Sequence, residues 1–176
     1  MLIYIRMKNI YKFCPQCKTK LDLTEEYPYC PNCNLTIYLD SKPTASILLI
    51  DGNKVLLGKR ATEPFKGKYD VIGGFLKYGE DPIAGVLREV KEETGLKVKI
   101  TDLLGIYMDT YGKGGESTLN INYIGKIVSG KMKASDDVAE LEWVPIDKLP
   151  EPAFKSQIKT FKDLQKWYSS RNLRKS

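Results

Sequence analysis

The chain has 176 residues and a mass of 20.0 kDa, the size of one domain with a small appendage. Its 42% hydrophobic and 28% charged content excludes a disordered polyelectrolyte, and its longest aliphatic run, Ile47–Ile50, is far short of the ~20 residues of a membrane span. The net charge is +6 with no histidine, which excludes Ser–His–Asp triads, Cys–His pairs and imidazole metal ligands, and leaves catalysis to carboxylates, lysine, arginine, tyrosine, cysteine or bound metal.

The opening segment, residues 1–13, has no long apolar stretch and no small-residue cleavage site, so no signal peptide is expected and a cytoplasmic location is. Met7 is an alternative start to Met1. Four cysteines follow as Cys14-Pro15-Gln16-Cys17 and Cys30-Pro31-Asn32-Cys33, with twelve residues between the pairs. Each pair can aim two thiolates at one ion, and together they supply a closed tetrahedral shell for Zn²⁺. A disulfide framework would need an exported chain, and redox pairs do not usually come duplicated with matched prolines. The arrangement resembles a zinc ribbon, assigned to residues 1–42 with an N-terminal extension. So few residues cannot build a large core, so metal must hold this fold. Its role reads first as stability or dimerisation, with Tyr11, Phe13, Tyr27, Tyr29 and Tyr38 as core. The alternative is a nucleic-acid module that pairs those rings with Lys12, Lys18 and Lys20.

Ser41-Lys42-Pro43 reads as a linker. Ala45–Ile50 is a strand, Asp51-Gly52-Asn53 a hairpin turn, and Lys54–Leu57 a second strand. Residues 62–68 form a loop, and Tyr69–Ile72 a short strand ending at Gly73-Gly74. A helix then starts with Asp81 as cap and Pro82 at its first position. Ile83, Val86, Leu87 and Val90 recur at helical spacing, and Gly95 suits a left-handed C-terminal cap. Residues 97–101 and 103–109 read as strands, and 111–117 as a flexible loop. Leu119–Tyr123 alternates as a half-buried strand that continues to Val128 and turns at Ser129-Gly130. Leu141–Val144 is a further strand. Phe154, Ile158, Phe161, Leu164 and Trp167 mark an amphipathic helix, whose segment, residues 151–176, carries a net charge of +5.

Glu89, Glu92 and Glu93 stand at i, i+3 and i+4 on one face of the first helix. Like charges that close need a partner. Arg88 offsets part of the repulsion, and a hard divalent cation such as Mg²⁺ or Mn²⁺ offsets far more. Gly73-Gly74 lets backbone approach phosphate or metal.

Gly74, Glu80, Arg88, Glu89, Val90, Glu92, Glu93, Gly95 and Leu96 match every fixed position of the Nudix box, G-x5-E-x7-R-E-U-x-E-E-x-G-U with U aliphatic. The chain thus resembles the Nudix hydrolases. The resemblance implies an α+β fold: an αβα sandwich with a mixed sheet over residues 43–150, preceded by the ribbon and followed by a helix and basic tail (151–176) packed on it. It implies metal-dependent hydrolysis of a nucleoside diphosphate linked to another group. Glu89, Glu92 and Glu93 would hold Mg²⁺ or Mn²⁺ together with the carbonyl of Gly73, while Glu80 and Arg88 orient them. The family's general base is often a box glutamate or an acid on a later loop, where Asp137 is the first choice; Asp136, Glu140 and Glu116 are alternatives. Lys59, Arg60, Lys66 and Lys68 are candidates for the pyrophosphate, and Phe65, Tyr69, Tyr78, Tyr107 and Tyr111 for the base.

A ribbon ahead of a Nudix domain resembles the NAD diphosphatases, which also remove NAD caps from RNA, but their SQPWPFPxS motif is absent after Leu96. The proline that ADP-ribose diphosphatases often carry after the box is absent too, and Ile72 stands where the family commonly has proline. ADP-ribose or a similar ADP-linked compound is the first expectation. NAD(H) or NAD-capped RNA is the alternative, and a non-catalytic nucleotide-sensing adaptor a third reading. RNA contact through the ribbon and the tail (Lys162, Lys166, Arg171, Arg174, Lys175) and a homodimer are further expectations.

Overall fold

The computed structural model describes residues 11–24, 27–38, 40–111, 115–135 and 138–172. The chain divides into two compact units after Asp40.

In the first unit, β1 (Tyr29–Cys30) and β2 (Leu35–Thr36) pair antiparallel, and single bridges join Phe13 to Lys20 and Asp22 to Tyr29. Lys18 (φ 63°) and Asn34 (φ 56°) are left-handed. Each directly follows the second cysteine of a pair, so both Cys-Pro-x-Cys segments close the same way. Cys14, Leu21, Pro28 and Cys30 are the buried apolar residues among those described, with Leu23, Leu35 and Ile37 packed around Cys14, Leu21 and Cys30. The aromatics expected as core lie outside it: Phe13 and Tyr38 are 60% and 64% exposed. With four sulfurs at the centre there is no room for rings, and Tyr27 packs on Tyr38 at 5.0 Å between centroids.

The second unit is a mixed sheet between two helices. Its strands are β3 (Lys42–Asp51), β4 (Lys54–Arg60), β5 (Tyr69–Asp70), β6 (Ile72–Phe75), β7 (Lys97–Thr110), β8 (Ser117–Ser129) and β9 (Val138–Pro145). The order runs β5-β4-β3-β8-β7, with β6 beside β3 and β9 beside β4. β3 and β8 are parallel and the other pairs antiparallel. Ala45–Leu49 is buried without a break because helices cover both faces. On one face, Ala45, Ile47 and Leu49 meet Val86 and Val90 of α1 (Pro82–Thr94). On the other, Leu48 and Ile124 pack with Phe161 and Leu164 of α2 (Lys155–Asn172). This is the αβα sandwich.

Local chemistry sets the ends of α1. The Asp81 carboxylate accepts from the N–H groups of Ile83 (2.9 Å) and Ala84 (3.0 Å), Pro82 opens the helix, and Gly95 closes it at φ 71°.

Several boundaries differ from the sequence reading. Lys42 and Pro43 are not a linker; they begin β3 and pair with Thr118 and Leu119. The double glycine does not end a strand: the segment expected as one strand is split into β5 and β6, and Gly73-Gly74 is the centre of β6, which pairs with β3 through Phe75. The two strands expected around Asp102 are one, and the irregularity there is a bulge against β8. Ile83 and Leu87 face outward (48% and 38% exposed), while Gly85, Val86, Val90 and Thr94 form the buried side of α1. Ile158 is likewise exposed, and Gln157 and Thr160 are buried beside Phe161.

Candidate active site

A cleft of about 390 Å³ opens in the second unit, between the ends of β3, β4, β6 and β8 and the start of α2. At one end Glu89 and Glu93 of α1 meet the double glycine of β6. Gly73 sits at φ 141°, and its N–H donates to Glu93 Oε2 at 2.9 Å. A Cβ at Gly73 would lie 2.3 Å from the Ala45 carbonyl oxygen, so only glycine lets β6 approach β3 here. A Cβ at Gly74 would lie 2.8 Å from the Glu89 carboxyl carbon. Gly73→Ala is expected to cost about 2–4 kcal/mol through left-handed strain and backbone contact, read as a lowered urea midpoint. An unchanged midpoint would show that β6 can move away from β3.

Arg88 organises the acids behind the cleft, with each of its five N–H groups placed. Nε and Nη2 form a fork on Glu80 (2.8 and 2.9 Å); Nη1 donates to Glu89 (2.6 Å) and Glu92 (3.1 Å); Nη2 also reaches the Phe75 carbonyl (3.3 Å). This fork, together with the Lys77 N–H, holds the Glu80 carboxyl down at about 2, against an ordinary 4.5. Its folded pKa thus lies below its unfolded one, so the ionised carboxylate stabilises the fold. That contribution is complete above pH 4.5 and drains as pH falls towards 2. Glu80→Gln should therefore be less stable than wild type at neutral pH, with a gap that closes through this window. Urea unfolding at pH 7, 4 and 2.5 measures it, and a gap that does not change with pH would contradict the assignment.

The structure does not draw the three box glutamates into one knot. Glu89 and Glu93 line the cleft, whereas Glu92 does not and its side chain is 56% exposed. Among the described residues the only group of three or more acids or cysteines with ligand atoms all within 4.8 Å of one another is Cys14, Cys17, Cys30 and Cys33. The carboxylates instead spread onto Arg88 and the Gly73 N–H, the donors present. The charged residues lining the cleft are Lys59 and Arg60 against Asp70, Glu89, Glu93 and Asp109. That acidic excess cannot receive a polyanion unaided, and its oxygen donors suit a hard divalent cation.

The other expected residues fall as follows. Lys59 lines the cleft but is held by Glu140 (2.8 Å) and Glu142 (3.3 Å), which raise its pKa. Arg60 lines it too, paired with Asp70 at 2.7 Å and lying 5.1 Å from the Phe154 ring. Lys66 and Lys68 are outside it; Lys68 pairs with Glu151. Glu116 is outside it, paired with Lys42. Of the aromatics, Tyr111 lines the cleft, stacked on Phe154 at 5.6 Å with Phe75 edge-on. Phe65 packs edge-on to Phe154, Tyr69 bonds Glu142, Tyr78 is fully exposed, and the hydroxyl of buried Tyr107 bonds Asp163. Asp136, Asp137, Arg174 and Lys175 lie outside the described residues.

Sequence reasoning missed the polar floor: Thr44 and Ser46 of β3, Asn120 and Asn122 of β8, and Gln157 of α2. The signal was a polar residue on the apolar stripe of α2, at Gln157.

The four sulfurs of the first unit lie 3.3 to 3.6 Å apart in four of their pairs, near the ~3.8 Å edge of a tetrahedral zinc–thiolate shell. Hydrogen bonds from Thr19 and Asn32 hold the Cys17 thiol down at about 5, while bonding to Cys30 and desolvation push Cys33 up to about 12. All four cysteines are free of disulfides. The cluster fits a thiophilic metal ion.

The model of the NUDIX domain matches residues 40–164. The chain belongs to the NUDIX family. As a Nudix chain it is 37% identical, over 131 residues, to a protein of Methanocaldococcus jannaschii named ADP-ribose pyrophosphatase; the match covers 74% of this chain and 77% of the relative. It is 29% identical over 142 residues to the NAD-capped RNA hydrolase NudC of Pseudomonas aeruginosa, and that match covers 79% of this chain. Against the NudC relative the Nudix chain matches about half the length, 49%. Among solved structures, a NUDIX hydrolase from Nitrosomonas europaea shares the fold at TM-score 0.74 and 24% identity, over 92% of this chain and 93% of that one. The chain is a Nudix hydrolase, a family whose hydrolases use divalent metals. Among the described residues no helix is long and apolar enough to cross a membrane.

Proposed function

We propose that this Nudix hydrolase cleaves the pyrophosphate bond of ADP-ribose or a close ADP-linked compound. The observation that carries the reading is the meeting of Glu89 and Glu93 with Gly73 in a cleft with acidic excess. The 37% identity to an ADP-ribose pyrophosphatase supports the substrate. In this reading Glu89, Glu93 and the Gly73 carbonyl hold Mg²⁺ or Mn²⁺, and Arg88, Glu80 and Glu92, which lies outside the cleft lining, keep those carboxylates in place. When bound, the divalent ion supplies charge neutralisation on the phosphate oxygens and an activated water. Arg60, anchored by Asp70, faces the substrate phosphates, and Tyr111 with Phe154 offers a stacking face for the base. Asp137 is proposed as general base, because Glu116 and Glu140 are committed to Lys42 and Lys59.

Zn²⁺ is proposed for the four cysteines as a structural ion, and the cytoplasm as the compartment that keeps them reduced. RNA contact would fall on the exposed Phe13 and Tyr38 of the ribbon, and a second copy of the chain on Leu103, Ile106 and Met108 of β7, each more than half exposed.

The second reading is hydrolysis of NAD(H) or NAD-capped RNA, favoured by the NudC relatives. Steady-state kinetics on ADP-ribose, NADH and NAD-capped RNA decides between them. The proposal expects kcat/KM for ADP-ribose to exceed the others at least about tenfold; the reverse order would replace it.

A further inference from the structure

The floor of the cleft holds two buried carbonyl oxygens with nothing to accept from. Asn122 is 2% exposed and Gln157 5%, and both line the cleft. Among the described residues, Asn122 Oδ1 and Gln157 Oε1 have no hydrogen-bond partner. A buried acceptor without a donor destabilises the fold, and two in one cleft point to a ligand that supplies the donors.

The amide orientations follow from their neighbours. Thr160 Oγ1 donates to the Ser156 carbonyl at 3.3 Å, so it accepts from Asn122 Nδ2 at 2.9 Å. The Asp70 carboxylate accepts from Arg60 and from Gln157 Nε2. Each nitrogen is thereby fixed on its partner, and each oxygen is left over. Elsewhere on the floor, Asn120 Oδ1 already accepts from Thr44, and the carboxylate of Asp109 from the N–H groups of Thr110 and Ser156.

We propose that Asn122 and Gln157 recognise adjacent hydroxyl groups on the base-free sugar of the substrate, the terminal ribose in ADP-ribose. Two fixed acceptors need two donors. A phosphate offers none, whereas a vicinal diol offers two. The strand register gives the distance. Gly73 of β6 pairs with Ser46 of β3, and Ser46 pairs with Asn122 of β8. Asn122 therefore stands two strand spacings, about 10 Å, from the backbone that binds Glu93. A sugar attached to the phosphates above Gly73 spans that gap. A base carried on its own ribose needs a further ring's length, and it has the Tyr111–Phe154 face to stack on. The inference rests on the ADP-ribose reading and makes the sugar, rather than the base, what the floor selects.

The test is calorimetric binding in Mg²⁺, using wild type, Asn122→Leu and Gln157→Met. The probes, each with a methylene group in place of the bridging anhydride oxygen so that none is cleaved, are ADP-ribose, its analogue lacking the two vicinal hydroxyls of the terminal ribose, and its analogue with hypoxanthine for adenine. Both substitutions keep side-chain bulk, and thermal unfolding checks that each variant is folded. Wild type is expected to bind ADP-ribose at least about tenfold more tightly than the analogue without hydroxyls. That ratio should fall to near unity in either variant, while the hypoxanthine analogue tracks ADP-ribose in all three proteins. Equal binding of the two sugars by wild type overturns the proposal, as does a ratio that survives in both variants. A loss of adenine-over-hypoxanthine preference in the variants instead would assign the floor to the base. Turnover of ADP-ribose with Mg²⁺ is measured alongside. Turnover without hydroxyl selectivity sinks this inference alone, and neither turnover nor binding sinks the ADP-ribose reading and this inference with it.

Discussion

Glu93→Gln should lower kcat on ADP-ribose by about 10³-fold, the scale of removing one well-placed electrostatic group from a reacting centre, and leave the fold intact. The substitution is close to isosteric. The glutamine oxygen can still accept from the Gly73 N–H, as Glu93 Oε2 does at 2.9 Å, so β6 and α1 keep their junction. What is lost is one negative charge at the glycine end of the cleft. Glu89→Gln should act similarly, because its carboxylate also lines the cleft beside Gly74. Glu92 differs. It lies outside the cleft lining and touches the site through Arg88 at 3.1 Å, so Glu92→Gln should cost about 10–100-fold, the range for an orienting partner. Steady-state kinetics and thermal unfolding on the three variants separate the cases. Equal losses at all three positions would mean that Glu92 swings into the cleft, and activity within tenfold of wild type for Glu93→Gln would remove it from the reaction.

The second large effect is expected at Cys30. Of the four buried apolar residues described in the first unit, two, Cys14 and Cys30, belong to the sulfur cluster itself. Leu21 and Pro28 are the others, and the two strands there are two residues each. Apolar burial on this scale cannot offset the entropy of ordering the segment, so the ion must do so, with a contribution of about 10 kcal/mol or more. Cys30→Ser should reduce bound zinc from about one ion per chain to a small fraction. The amide signals of residues 11–38 should then collapse to the narrow range of an unfolded segment. Retained dispersion in zinc-free protein would show that the segment folds without metal.

Features set by a few neighbouring residues were legible in the sequence. The ends of α1 follow from Asp81, Pro82 and Gly95, whose effects are local, and the box glutamates and paired cysteines declare themselves by spacing. What was not legible depends on partners distant in the chain. Lys42 and Pro43 look like a linker until β8, some seventy residues later, supplies Thr118 and Leu119 to pair with. β7 looks like two strands because a bulge at Asp102 imitates a break. Asn120 and Asn122 read as the wet side of a half-buried strand; instead they floor the cleft, and Asn122 is more buried than the apolar Ile121 and Tyr123 beside it. Glu92 stands apart because it lies outside the cleft that Glu89 and Glu93 line, although Arg88 bonds both Glu89 and Glu92. Helical spacing put all three on one face and had no means of separating them.

The measurement that bears most directly on the central claim is product analysis of wild-type protein with ADP-ribose, with and without Mg²⁺. The account predicts AMP and ribose 5-phosphate in equal amounts, formed only when the divalent ion is added. Folded, zinc-loaded protein that leaves ADP-ribose and the other nucleoside diphosphate compounds intact in Mg²⁺ or Mn²⁺ would contradict it.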